Sequence, residues 1–289
     1  MKKKKSICIF SHYSSETSIP IYVLIYVEEL QRHFDELLLV TNTRKITNAG
    51  ALKSPKVSIK EVVNEGYDMG MFYKGFQTIN PDDYETIAFI NDSNVLFGKL
   101  DFLFKWAKKQ NIDFWGLIDS HAKPPFSTHT NNYHIQSHFI VFNKTAIPDL
   151  KEYVASIDLS QYINETNMKE LRKKVINYWE IGLSQFLLSK NNKCLTYIKS
   201  SEYQQMSKRK REVNVSLDLY HQIIQNGIPV IKKKVVNSVQ IKNLFTYKKN
   251  WKRLIRKYGD PALELDKMIG ELSLLKRNNL KHKFSRAFQ

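Results

Sequence analysis

Asn91-Asp92-Ser93-Asn94 follows directly on Ile87-Ala88-Phe89-Ile90, so a run of apolar, strand-forming residues ends abruptly in four polar ones. A buried strand that stops this way delivers its polar side chains to the edge of a sheet, and open α/β sheets bind ligands outside the carboxyl ends of their strands. The one carboxylate in the cluster is Asp92. A single carboxylate holds Mg²⁺ only when phosphates complete the shell. The stretch therefore implies weak metal dependence or none, with Asp92 as the ligand if Mg²⁺ or Mn²⁺ accompanies a phosphorylated molecule. An Asn/Asp/Ser turn after a core strand is the competing structural reading.

Two further segments carry residues of the right type. Asn64-Glu65-Gly66-Tyr67-Asp68-Met69-Gly70 places two glycines around an Asp just after a strand-like run, Val57 to Val63. Glycines there permit a tight turn and a close approach of backbone to ligand. Glu180 lies beside Trp179 in the longest helical pattern, Asn167 to Lys190. A carboxylate bordered by large apolar groups can be tuned to act as a general base. Asp119, closing the strand-like Asp113 to Asp119, is the second candidate. His129, His134 and His138 are read as hydrogen-bonded, since the alternating pattern from His134 to Phe142 predicts a strand that holds the last two apart.

These residues need a scaffold that gathers strand ends. Ser6 to Ser11 reads as a strand apolar on both faces, Pro20 to His33 as a helix, and Glu36 to Thr41 as a second strand ending in Thr41-Asn42-Thr43. Strand, helix, strand in about 35 residues is a βαβ unit with parallel strands. Lys99 to Gln110 follows as an amphipathic helix, and His121 to Asn132 is rich in Pro, Ser, Thr and Asn and reads as a loop. Later come a strand at Cys194 to Ile198, a charged loop at Glu202 to Glu212 and a helix at Leu217 to Gln225 capped by Gly227. The fold class is α/β. We divide the chain into a catalytic domain, 1–240, and a basic helical extension, 241–289.

The chain carries a formal charge of +17, and from Ile241 onward thirteen Lys and Arg face four Asp and Glu. Nucleic acid, anionic lipid and a phosphorylated substrate are the partners such charge suits. No nucleic-acid module is recognisable, although Lys208 to Arg211 has the composition of a phosphate-contacting patch. Tyr247, Trp251, Leu254 and Ile255 suggest a helix face that rests on anionic membrane or, equally, on the protein itself. Met1 to Lys5 is followed by too short an apolar run for a signal peptide, and two cysteines make no disulfide framework. We expect a cytoplasmic protein, with the tail as a peripheral contact to the inner membrane face.

Several segments in fixed order resemble the rhamnan-synthesis F family of bacterial glycosyltransferases. They are the strand into Ser11-His12-Tyr13, the Asn64-x-Gly66-x-Asp68-x-Gly70 loop, Asn91-Asp92-Ser93, Phe114-Trp115-Gly116-Leu117, Ile135-Gln136-Ser137-His138-Phe139, Trp179-Glu180-Ile181-Gly182-Leu183-Ser184 and Gly227-Ile228-Pro229-Val230-Ile231-Lys232. The chain departs from the family pattern at Val62-Val63 and at Met69-Gly70-Met71-Phe72. The resemblance implies a GT-A-like fold, with a mixed, mainly parallel sheet flanked by helices. It also implies transfer of a sugar, typically rhamnose from dTDP-rhamnose, onto a cell-surface polysaccharide or lipid-linked glycan. On that footing Ser11, His12, Tyr13, Thr41, Asn42, Asn64, Gly66, Tyr67, Asp68, Asn91, Asp92 and Ser93 surround the donor. Trp115, His134, Gln136, Ser137 and Trp179 lie on the acceptor side, and Glu180 is the base with Asp119 as runner-up. A nucleic-acid-binding protein and an inactive scaffold of the same fold remain as alternatives.

Overall fold

The computed structural model describes residues 5–207, 213–237 and 250–274. The chain begins with β1 (Lys5–His12), α1 (Ile21–Leu30), β2 (Glu36–Thr41), β3 (Val57–Glu61), α2 (Tyr67–Phe76), β4 (Tyr84–Asn91) and β5 (Asn94–Leu96). It continues through α3 (Asp101–Ala107), β6 (Phe114–Ser120), β7 (His134–Ile135), β8 (Phe139–Asn143), α4 (Ile147–Ala155), α5 (Ser160–Ile163) and α6 (Met168–Lys174). A π-helical stretch, Val175–Ile181, joins α6 to α7 (Gly182–Ser189). There follow β9 (Cys194–Ile198), α8 (Ser200–Ser207), α9 (Val215–Asp218), α10 (Tyr220–Gln225), β10 (Val230–Lys232), α11 (Lys233–Asn237) and α12 (Trp251–Tyr258), with a further helix over 265–274.

The main sheet runs in the order β3-β2-β1-β4-β8-β6, with β7 and β9 both paired to β6. β3, β2, β1 and β4 are mutually parallel, β8 is antiparallel to β4 and to β6, and β9 is parallel to β6. The sheet is therefore mixed and mainly parallel. Its central strands bury both faces, which is why β1 shows no polar alternation. Cys8 and Phe10 join the core on one face, which α1 and α10 cover, while Ile7 and Ile9 join the core beneath α2 and α7. The same division separates Ala88 and Ile90 from Ile87 and Phe89 on β4. Successive residues on a strand must point to opposite faces.

Three segments depart from the sequence reading. His134 to Phe142 is two short strands rather than one, because Gln136-Ser137-His138 bends the chain between β7 and β8, with the Phe139 N–H donating to the Gln136 carbonyl at 3.4 Å. Gly116 permits that crossing, since a β-carbon there would stand 2.1 Å from Ile135 Cγ2. The loop read from Asn64 to Gly70 already turns helical at Tyr67, so Asp68 occupies the first turn of α2. The stretch from Glu202 begins inside α8, and residues 208–212 lie outside the described residues.

The tail follows the second of its two sequence readings, packing on the protein itself. Leu254 and Ile255 of α12 are buried in the same core as α1, together with Met268, Ile269 and Leu272 from the helix over 265–274. Their apolar face is thus turned to protein and not to lipid. Tyr247 lies outside the described residues. Among the described residues no helix is long and apolar enough to cross a membrane.

Candidate active site

Because β1, β2, β4 and β6 run in one direction, their carboxyl ends open onto one edge of the sheet. That edge collects His12, Thr41, Asn91 and Asp119-Ser120, and the antiparallel β8 starts there, with the Asn91 N–H donating to the His138 carbonyl at 3.3 Å. Several buried polar atoms around it lack a hydrogen-bond partner among the described residues: His12 Nε2, Thr43 Oγ1, Asn64 Oδ1 and His138 Nε2. Buried polar groups are nearly always paired, so such a concentration marks where a polar ligand or water completes the structure.

Asp92 is the centre of this edge. It is 3% exposed, and its Oδ2 accepts from the Tyr22 hydroxyl at 2.9 Å and from the Lys233 ammonium at 2.6 Å. His12 Nε2 lies 4.0 Å from the same oxygen, while His12 Nδ1 contacts Thr41 Oγ1 at 3.0 Å. The facing carboxylate favours the tautomer that carries its proton on Nε2. Burial, opposed by Asp92 and reinforced by Lys233, lowers the His12 pKa to about 4, so the ring is neutral at physiological pH. Lys233 reaches Asp92 because β10 pairs antiparallel with β5, placing Lys232 opposite Asn94. The Lys233 N–H then donates to the Ser93 carbonyl at 2.7 Å.

The glycine turn brings a second carboxylate. Gly66 (φ 73°) and Tyr67 (φ 55°) are both left-handed, a conformation costing a non-glycine residue about 1–2 kcal/mol. The turn swings Asp68 beneath the β4 exit, where its Oδ2 accepts from Asn91 Nδ2 at 2.9 Å. Burial, then the Asp92 charge, push the Asp68 pKa up to about 7, with Glu180 adding and Lys233 and Lys232 opposing. Lys232 is pushed down to about 8 by burial, against Glu180 and Asp68. Asp68, Asp92, Glu180, Lys232 and Lys233 thus form one electrostatic cluster.

A stability prediction follows from the sign of the Asp68 shift. Between about pH 4 and 7 the unfolded chain gives up a proton that folded Asp68 keeps, so this group makes stability fall as pH rises through that window. Asp68→Asn is expected to be more stable than the parent at pH 8, with the difference closing towards pH 4.5. Urea midpoints at both pH values check this, and a gap independent of pH rules it out.

Glu180 comes from the π-helical stretch. Its Oε1 accepts from the Ser137 hydroxyl at 2.7 Å and the Ser137 N–H at 3.3 Å, and among the described residues no hydrogen bond engages Oε2. A π turn leaves carbonyls out of register, and such turns are frequent at functional sites. Here the Tyr153 hydroxyl takes the Tyr178 carbonyl, and His129 Nε2 takes that of Asn177 at 2.9 Å. Asn177 in turn holds Thr128 through two hydrogen bonds. The loop 121–132 is therefore a clamp on the segment that carries Glu180.

The RgpF family, rhamnan synthesis protein F, matches residues 38–254. The chain belongs to this family. Membership assigns the class, a glycosyltransferase, and the sheet is the GT-A-like one the resemblance implied. No curated protein matches the chain. Solved structures with a similar arrangement include a protein named as a glucose-1-phosphate thymidylyltransferase from Bacillus anthracis, at 8% identity and TM-score 0.43, covering 67% of this chain and 86% of that one. Another is 4-diphosphocytidyl-2C-methyl-D-erythritol synthase from Anaerococcus prevotii, at 12% and 0.42, covering 68% and 87%. A third, named as a nucleotide-diphospho-sugar transferase from Desulfovibrio desulfuricans, gives 11% and 0.39, covering 88% and 98%. Similarity this low carries no information about substrate.

In this RgpF-family protein the residues singled out from sequence do not all reach the site. Trp115 is 3% exposed and packs against Phe104, Trp106 and Phe139, and Trp179 is 1% exposed between Tyr73 and Tyr162. Both are core side chains, which corrects their placement on the acceptor side. Asp119 spends both oxygens on structure, accepting from the Ser200 N–H at 2.6 Å at the start of α8 and from the Thr196 hydroxyl at 3.1 Å. Ser11 is fully buried, with its hydroxyl against Met71 Sδ, and Asn42 pins the β1 exit through Ser14. Tyr67 donates to the Met168 carbonyl at 3.2 Å, and Tyr13 is half exposed.

Of the others, His134 Nδ1 contacts the Asn132 carbonyl at 2.7 Å, and Gln136 accepts from the Ser216 hydroxyl at 3.0 Å. Gln136 also lines a cavity of about 610 Å³ with Asp119, His121, Ser200, Gln204 and Val215. His138 Nδ1 meets Asn94 Nδ2 at 2.9 Å. Sequence reasoning missed Tyr22 and the placement of Lys233 on Asp92. Three consecutive lysines, Lys232 to Lys234, after a short apolar run were the only signal for the latter.

A divalent cation at Asp92 does not fit these residues. Asp92 Oδ2 is already held by an ammonium and a hydroxyl, which leaves one oxygen of the carboxylate, Asn91 spends its side chain on Asp68 and on the Ser93 N–H, and His12 Nε2 faces the occupied oxygen at 4.0 Å. Among the described residues no group of three His, Cys, Asp or Glu is placed to hold a metal.

Proposed function

We propose that this protein transfers L-rhamnose from dTDP-rhamnose, with inversion at the anomeric carbon, onto a cell-surface polysaccharide or a lipid-linked glycan. Membership of the rhamnan synthesis family supports the sugar and the class of acceptor. The observation that carries the chemistry is the opposition, across one sheet edge, of a clamped carboxylate and a cationic corner: Glu180 on Ser137, and Lys233 with His12 around Asp92. Sugar transfer needs a base for the acceptor hydroxyl and stabilisation for the departing diphosphate.

In this reading Glu180 takes the proton of the acceptor hydroxyl as its oxygen attacks the anomeric carbon, and the bond to the diphosphate breaks on the opposite face. Lys232, Lys233 and the His12 Nε2 proton receive the leaving charge. Asn64, Gly66, Asp68, Asn91 and Ser93 border the nucleotide, and Gln136 and Ser137 border the acceptor. The unpartnered Thr43 Oγ1 and Asn64 Oδ1 are the natural contacts for base or ribose. The basic segment from residue 241 remains, in this proposal, the part that meets an anionic membrane surface through its charges.

Thermal stabilisation by a panel of nucleotide-sugars tests the assignment. dTDP-rhamnose and dTDP are expected to raise the melting temperature by a few degrees at about 100 times Kd, as mass action requires. UDP- and GDP-sugars are expected to raise it less. Stabilisation by DNA or RNA alone, lost with salt, would instead favour the nucleic-acid reading.

A further inference from the structure

We infer that Lys233 is this enzyme's built-in counter-charge for a nucleoside diphosphate, and that Asp92 positions this lysine rather than a divalent cation. The inference rests on the donor reading above.

The geometry is that of a cation already seated. The Lys233 ammonium lies 2.6 Å from Asp92 Oδ2 and 3.1 Å from the Tyr22 hydroxyl oxygen, and 5.6 Å from the centroid of the Tyr22 ring. Tyr22 itself donates to Asp92 at 2.9 Å, closing a three-membered network. An ammonium has three protons, and two are spent here. The Lys233 side chain is 27% exposed while Asp92 is 4% exposed, so the solvent side of the pair is the lysine. An incoming anion meets the ammonium first. His12 Nε2, 4.0 Å from the same carboxylate, is buried without a hydrogen-bond partner among the described residues.

The backbone is fixed as firmly as the side chain. The antiparallel ladder of β10 on β5 sets Lys232 opposite Asn94, and the Lys233 N–H donates to Ser93 O at 2.7 Å. The turn after β4 and the lysine pair are therefore one rigid unit. A divalent ion at Asp92 would share the carboxylate with the ammonium already seated on Oδ2, and among the described residues no group of three His, Cys, Asp or Glu is placed to complete its shell. A buried carboxylate needs a partner charge, and the chain supplies one covalently.

Calorimetric titration of dTDP into the full chain tests this, in EDTA and in Mn²⁺, with Lys233→Met, Lys233→Arg and the double variant Asp92→Asn/Lys233→Met. Binding in EDTA within about threefold of that in Mn²⁺ is expected. Lys233→Met should lose roughly 10- to 100-fold in affinity, the cost of one charge-assisted contact. Lys233→Arg should retain most of the affinity. The double variant removes both charges together, so it folds without a stranded carboxylate and should show the same loss. Binding that needs Mn²⁺ overturns the lysine assignment while sustaining the donor reading. Equal affinity in Lys233→Met and parent overturns it as well. Absence of binding under both conditions overturns the donor reading and the inference with it.

Discussion

Glu180→Gln is expected to lower the rate of sugar transfer by about 10²- to 10⁴-fold, the usual contribution of a positioned general base. The substitution keeps shape and volume, and Gln Oε1 can still accept from the Ser137 hydroxyl and N–H that hold the present carboxylate. What disappears is the ability to take a proton. Affinity for dTDP should change little, because the cationic corner at Lys233 and His12 is untouched. The result separates Glu180 from Asp119, whose two oxygens are committed to Ser200 and Thr196. Asp119→Asn should instead behave as a stability variant, with turnover of the folded fraction preserved. Full activity in Glu180→Gln would remove it from the role of base.

Gly70→Ala is expected to be the most damaging small substitution in the donor half. A β-carbon at residue 70 would stand 1.7 Å from the Glu65 carbonyl oxygen, a backbone atom that cannot rotate away. Glu65 is itself anchored, since the Lys74 ammonium bonds both its carboxylate and the Val63 carbonyl. The turn must therefore open, carrying Gly66, Tyr67 and Asp68 away from Asn91. Overpacking of this kind costs about 1–3 kcal/mol. In a chain of this length that corresponds to a fall in melting temperature of roughly 2–10 °C. Affinity for dTDP should fall in the same variant. Gly270→Ala is the control, with nothing within 4 Å of the added carbon and ordinary helical backbone, and it should melt at or slightly above the parent temperature. Matching melting curves for Gly70→Ala and the parent would show that the turn relaxes freely.

Much of the scaffold was legible because its strands are buried on both faces. β2 and β9 fall on the ranges read from sequence, and β1, β4 and β6 lie within a few residues of theirs. Apolar runs ending in Ser11-His12, Thr41-Asn42 and Asn91-Asp92 already implied parallel strands with polar exits. The turn at Gly66 was legible as well, since its φ of 73° suits glycine, whereas the left-handed Tyr67 and the start of α2 there were not. The bend at Gln136-Ser137-His138 was not. A polar triplet between apolar residues mimics the alternation of a single strand, and only pairing of β7 and β8 to different parts of β6 separates the two cases. The π turn was hidden for a similar reason, because its apolar spacing is that of a continuous helix while its carbonyls are satisfied by His129 and Tyr153, distant in sequence.

The polar end of β4 shows where sequence stops. Residue order alone determined that Asp92 would arrive at the edge of a parallel sheet as the only carboxylate of its cluster, and therefore that a two-carboxylate metal cage was absent from this stretch. It also determined that Glu180 would sit on a helix among large apolar groups. The tertiary structure decided what each carboxylate faces. Lys233, 141 positions further along, lies on Asp92 because a three-residue strand returns to pair with β5, and Ser137 holds Glu180 because two short strands meet at a bend. A partner charge at 2.6 Å is set by strand pairing across the whole chain, and local composition contains no term for it.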